Sequence, residues 1–172
     1  MISDSIRIAS PAGNYAIVHP FGARLLELRV PNSLDELVNV VVGYSDIETY
    51  RAFPEDLIGA SVGRVAGRVK GGHFKEHEFV IDLQTNDSEH HLHGGGKHAL
   101  DRVEWSVTFQ TESDVTFTYK CPAGTNGYPG NLTVHASYSL IEQSTLAVSY
   151  SATTDAACPV NLTHHSYWNL SG

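Results

Sequence analysis

A chain of 172 residues with 41% apolar and 17% charged side chains, 15 glycines and 7 prolines has enough apolar surface to bury a sizeable core. That excludes a disordered, collagen-like or disulfide-stapled polypeptide. Nineteen acidic against eleven basic residues leave a formal charge of -8, and nothing more basic than the scattered Arg64, Arg68 and Lys70 interrupts it, so a surface that tracks nucleic-acid phosphates is excluded too.

At the start of the chain, Met1 to Arg7 has neither a basic leader nor a continuous apolar stretch, and no later run approaches the roughly 20 apolar residues of a membrane span. A soluble, cytoplasmic protein with no membrane partner is expected. Strands are then predicted at Tyr15 to Val18, Leu25 to Val30 and Leu37 to Val42, separated by Pro20, Gly22 and Pro31. Asp46 to Phe53 suggests one helical turn that Pro54 stops, and a further strand covers Phe79 to Leu83 after Gly71-Gly72.

The second half alternates with a period of two. Trp105, Val107 and Phe109 form one half-buried strand; Val115, Phe117, Tyr119 and Cys121 the next; Leu132, Val134, Ala136, Tyr138 and Leu140 a third; Leu146, Val148, Tyr150 and Ala152 a fourth. Thr111 to Asp114 and Glu142 to Ser144 are hairpin-length breaks, so neighbouring strands should pair antiparallel. Pro122 to Asn131 reads as a structured loop. Many short strands and no long helix predict an all-β fold, an antiparallel β-sandwich or barrel, with residues 1–172 forming one domain. Cys121 and Cys158 lie in no CxxC pair and read as unpaired thiols.

Chemistry concentrates in the histidines, of which there are ten. Imidazole titrates near neutrality and also binds metals. His91-x-His93 puts two imidazoles on one face of an extended segment, with Glu78 or His165 as further metal ligands, but no spacing fixes those partners and no metal is expected. His73, His77, His98 and His135 read as surface histidines without a role. His93 is followed by Gly94-Gly95-Gly96, whose missing side chains would let a ligand approach the backbone beside an imidazole. If the segment Asn161 to Leu170 is extended, Asn161, Thr163, His165, Tyr167 and Asn169 share a face. That stripe of donors, acceptors and an aromatic ring suits sugar hydroxyls.

Four motifs in order, Gly63-Arg-Val-Ala-Gly-Arg68, Leu92-His-Gly-Gly95, Gly127-Tyr-Pro-Gly-Asn131 and Asn161-Leu-Thr-His-His-Ser-Tyr-Trp-Asn-Leu170, together with Gly22-Ala-Arg24, resemble the aldose 1-epimerase, or galactose mutarotase, family over nearly the whole chain. The resemblance implies a galactose mutarotase-like β-supersandwich that interconverts the α and β anomers of aldohexoses such as galactose and glucose without a cofactor. It implies that His165 is the general acid at the ring oxygen, that His93 assists binding and polarisation there, and that Arg68 and Tyr167 bind the sugar. Gly67 and His164 stand where the family usually has asparagines. The family is about twice as long as this chain, and its general base, a glutamate, falls in the part beyond Gly172. The chain is therefore expected to be the N-terminal part of a longer mutarotase-like domain, inactive or weak alone, with uncovered strand edges that favour self-association or a missing C-terminal segment. Two other readings are a carbohydrate-binding β-sandwich lacking the base and a hexose-6-phosphate epimerase-like protein.

Overall fold

A computed structural model describes residues 4–141 and 145–171, except for the side chain of Glu76. Four strands, β1 (Ile6–Ala9), β2 (Tyr15–His19), β3 (Arg24–Pro31) and β4 (Leu37–Asn39), form one antiparallel sheet in chain order. After them comes the short helix α1 (Ile47–Ala52), which starts where Asp46 accepts the Thr49 backbone N–H at 2.8 Å, an ordinary N-cap. Small pieces follow: β5 (Ser61–Val62), β6 (Arg68–Val69), β7 (His73–Glu76), β8 (Phe79–Asp82) and β9 (His91–Leu92). A second antiparallel sheet holds β10 (Ser106–Gln110), β11 (Asp114–Cys121), β12 (Leu132–Ile141) and β13 (Thr145–Thr154), again in chain order, and the two-residue β14 (Thr163–His164) comes last. Among the described residues no helix is long and apolar enough to cross a membrane.

The two four-stranded sheets share a core. Ile8, Ala16, Val18, Leu25 and Leu28 from the first meet Val115, Phe117, Val134, Ala136, Tyr138 and Leu140 from the second, all buried. Each of the larger side chains stabilises the fold by about 1.5–3 kcal/mol through leaving water. Tyr138 is fully buried and donates its hydroxyl to the Ala23 carbonyl at 2.6 Å, so the one polar atom it brings inside is satisfied across the layers. Strand β12 buries every second residue from Leu132 to Leu140, as its alternation requires.

Several expectations meet a different outcome. Strand β10 is not half-buried: all five of its residues are exposed, Val107 at 40% and Phe109 at 55%, and its pairing with β11 slips between those two positions. Only Trp105, just ahead of it, reaches the core. An edge strand whose face no described residue covers keeps its period without gaining burial. The anticipated strand at Leu37 is cut to three residues, although Val41 still bridges Trp168. The connection Thr111 to Asp114 is a tight turn closed by Thr111 N–H to Asp114 C=O at 2.8 Å; Glu142 to Ser144 lies outside the described residues. Both cysteines are free.

Candidate functional site

The segment 161–169 is held by backbone from two directions. Thr163 and His164 pair with Val62 and Ser61. His165 donates to the Ala60 carbonyl at 2.9 Å and accepts from Gly59 at 3.0 Å, while Val42 donates to the Tyr167 carbonyl and Asn169 to that of Val40, both at 2.9 Å. This extended course sends consecutive side chains to opposite sides. His164 turns inward against the Tyr138 ring, 5.6 Å between centroids, and burial followed by the charge of His165 pushes it down to about 4. His165 turns the other way, its ring centroid 5.2 Å from that of Tyr167.

His93 arrives from the other side of the site. Its backbone is left-handed (φ 51°), a conformation histidine tolerates better than most residues. Two hydrogen bonds clasp it to Gly67: the His93 N–H donates to the Gly67 carbonyl at 3.0 Å, and the Gly67 N–H donates to His93 Nδ1 at 3.1 Å. A ring whose Nδ1 accepts carries its neutral-state proton on Nε2. The rings of His93 and His165 meet edge to face, 5.5 Å between centroids and 87° between planes. Burial, then the charges of His165 and Arg68, lower His93 below the usual imidazole range. Arg68, on β6 opposite Leu92, donates Nε–H to Asp87 Oδ2 at 2.7 Å.

His93, His165 and Tyr167 therefore converge, with Arg68 near enough to His93 for its charge to be felt. His91 does not join them. It is fully buried, donating Nδ1–H to the Gln84 carbonyl at 2.6 Å and accepting the Tyr128 hydroxyl at Nε2, also at 2.6 Å. With both nitrogens spent, His91 cannot pair with His93 as a metal ligand, because the left-handed turn at His93 breaks the alternation that would have aligned them. Among the described residues no group of three His, Cys, Asp or Glu side chains is placed to hold a metal ion. Gly94 and Gly95 serve packing rather than ligand access: a Cβ on Gly94 would lie 1.7 Å from the Gly63 carbonyl oxygen, and one on Gly95 2.7 Å from Asn126 Nδ2. Asn161 points its amide toward Ala66 at the limit of hydrogen bonding, 3.4 Å.

Supporting residues had no signal in the sequence beyond their motifs. Buried Arg64 donates to the carbonyls of Cys121, Pro122, Pro129 and Gly130, each at 3.0 Å, tying the loop 122–131 under the site. Within that loop Asn126 donates to the Gly94 carbonyl at 2.8 Å. Asn86 accepts the Leu92 N–H at 2.7 Å and donates to its carbonyl at 3.0 Å, closing the loop that ends at His93.

A shallow cavity of about 390 Å³ opens beside Tyr167, with Glu55 and Asp56 on its wall. A larger one, about 680 Å³, lies on the outer face of the first sheet and contains none of these residues. Its polar groups are engaged with neighbours, Glu27 with Arg29, Asp46 with Thr49 and Arg7 over the Tyr15 ring.

The family model described as aldose 1-epimerase matches residues 4–172. The chain belongs to the aldose 1-epimerase family. It is 30% identical to the aldose 1-epimerase of Escherichia coli K12 over 97% of its own length and 48% of the relative's. It is 36% identical to the galactose mutarotase of Homo sapiens over 88% of its length and 43% of that protein's. Among solved structures, an aldose epimerase homologue from C. elegans superimposes with a TM-score of 0.89 at 30% identity, covering 96% of this chain and 50% of that one. Galactose 1-epimerase from Lactobacillus acidophilus NCFM gives 0.83 at 30% identity, covering 96% and 48%. The mutarotase-like sandwich is thus the fold, and this aldose 1-epimerase family member spans about half the length of the curated relatives it matches.

Proposed function

We propose that the chain carries the acid and sugar-binding part of an aldose 1-epimerase site, which interconverts the α and β anomers of aldohexoses such as galactose and glucose by opening and reclosing the pyranose ring. The observation that carries this reading is the convergence of the His93 and His165 imidazoles beside Tyr167.

Ring opening needs a proton delivered to the ring oxygen and another taken from the anomeric hydroxyl. The C1–O5 bond then breaks, the aldehyde rotates about C1–C2, and the ring oxygen attacks its other face. Following the family resemblance, the proton for the ring oxygen falls to His165, and His93, whose Nδ1 accepts from Gly67, offers Nε2–H as a hydrogen-bond donor beside it. The Arg68 guanidinium stays protonated and cannot be the base; its N–H fork suits hydroxyl oxygens. Tyr167 offers a ring face to the sugar's C–H surface. The base falls to the part of the family's sequence that follows residue 172. No cofactor takes part in these steps.

The test is polarimetry of freshly dissolved α-D-galactose with these 172 residues joined to the remaining part of a relative. Equilibration faster than buffer, lowered about 10²–10⁴-fold by His165→Ala, supports the reading. A folded protein that accelerates nothing contradicts it. That the chain spans about half of its relatives favours a second reading for the chain alone, sugar binding without turnover, and calorimetric binding of galactose without acceleration would support that.

A further inference from the structure

The cations and anions around this cluster do not balance in favour of an anionic ligand. Arg68 is the guanidinium whose charge reaches His93, and Asp87 already holds it through Nε at 2.7 Å. Glu55 and Asp56 line the cavity beside Tyr167. The turn that carries Asp87 is itself fixed: Asp87 and His90 exchange backbone hydrogen bonds at 3.1 and 2.9 Å, and the next residue back, Asn86, fastens the strand leading to His93. Asp87 is therefore presented to Arg68 by a rigid hairpin. Gripping the Nε side leaves the two terminal amino groups of the guanidinium without a hydrogen-bond partner among the described residues.

We propose that Asp87 is a positioning and specificity-determining residue: it aims the terminal N–H groups of Arg68 at hydroxyls and offsets part of the guanidinium charge, so that the site takes neutral aldoses in preference to sugars bearing a carboxylate or phosphate. The proposal rests on the reading of the cluster as a sugar site. The ion pair is partly exposed, 59% for the Arg68 side chain and 36% for Asp87, so water and salt screen it and the preference is modest, about three- to tenfold.

The experiment measures, by calorimetry at low salt, the affinities of D-galactose and D-galacturonate for the full chain as wild type, Asp87→Asn and Asp87→Glu. Alongside it, the His93 imidazole is titrated by NMR, which also reports that each variant is folded. In Asp87→Asn the ratio of galacturonate to galactose dissociation constants should fall by about three- to tenfold, and Asp87→Glu should keep the wild-type ratio. His93 should titrate lower in Asp87→Asn, because the Arg68 charge is no longer offset; a purely mechanical role for the turn would leave that titration in place. Wild type that binds galactose, with a ratio unchanged in Asp87→Asn, overturns this proposal alone. Wild type that binds neither sugar overturns the sugar-site reading and the proposal with it.

Discussion

His164 and His165 are adjacent, chemically identical and opposite in fate. One is packed against Tyr138 and pushed down to about 4 by burial; the other faces His93 and Tyr167. An unfolded histidine titrates near 6.5, so between that value and about 4 the unfolded chain holds a proton on His164 that the folded chain refuses. The stability this residue contributes is fully present above about pH 6.5 and is lost as pH falls toward 4. Asp101, raised to about 6 by burial, works in the other sense over the same range, since its folded form takes up a proton first. Comparing wild type with His164→Asn cancels the Asp101 contribution. Urea titrations should find the variant gaining on wild type by about 2 kcal/mol between pH 7 and pH 5; a difference that does not move with pH would contradict the account. The alternation that separates these two histidines was legible in the sequence. The clasp between His93 and Gly67 was not, because a backbone N–H meeting a ring nitrogen 26 residues away leaves no pattern. Gly94 and Gly95 misled for a related reason: the missing side chains make room for Gly63 and Asn126 rather than for a ligand.

At the scale of elements, legibility followed strand length. The ten-residue β12 is flanked on both sides and buries one face throughout, so its period survives folding. β5, β6, β9 and β14 are two residues each; they exist because tertiary pairing creates them, and no periodicity announces a two-residue strand. These short pieces carry the site, and beside them Arg64 anchors the loop 122–131, whose Asn126 donates to the Gly94 carbonyl. The guanidinium satisfies four carbonyls of that loop and its flanks. Arg64→Met would leave those acceptors without their donor in a buried place and should cost about 3 kcal/mol or more in a urea titration. A loss below 1 kcal/mol would mean that the loop supports itself.

Across the whole molecule, the two sheets cover one another on their inner faces, yet β13 pairs with β12 alone among the described strands. Its ten residues, Thr145 to Thr154, include no charge and no proline, the devices that usually protect a sheet edge. Trp168 at 51% and Leu170 at 83% exposure add apolar surface near the end of the chain. Sedimentation velocity should find concentration-dependent association, weakened by Ser149→Lys on the free edge; a wild-type monomer at all concentrations would contradict this. The sandwich itself was readable from alternation and turn spacing. The exposure of β10 was not, since period alone cannot say whether anything lies over a face.

All of this turns on His93 and His165 serving one bound sugar. NMR of the isotope-labelled chain during titration with D-galactose tests that most directly. The account predicts that His93, His165, Tyr167 and Arg68 shift together with a single dissociation constant. Shifts confined to the outer cavity around Arg7, Tyr15 and Tyr44, with both imidazoles unmoved, would contradict it.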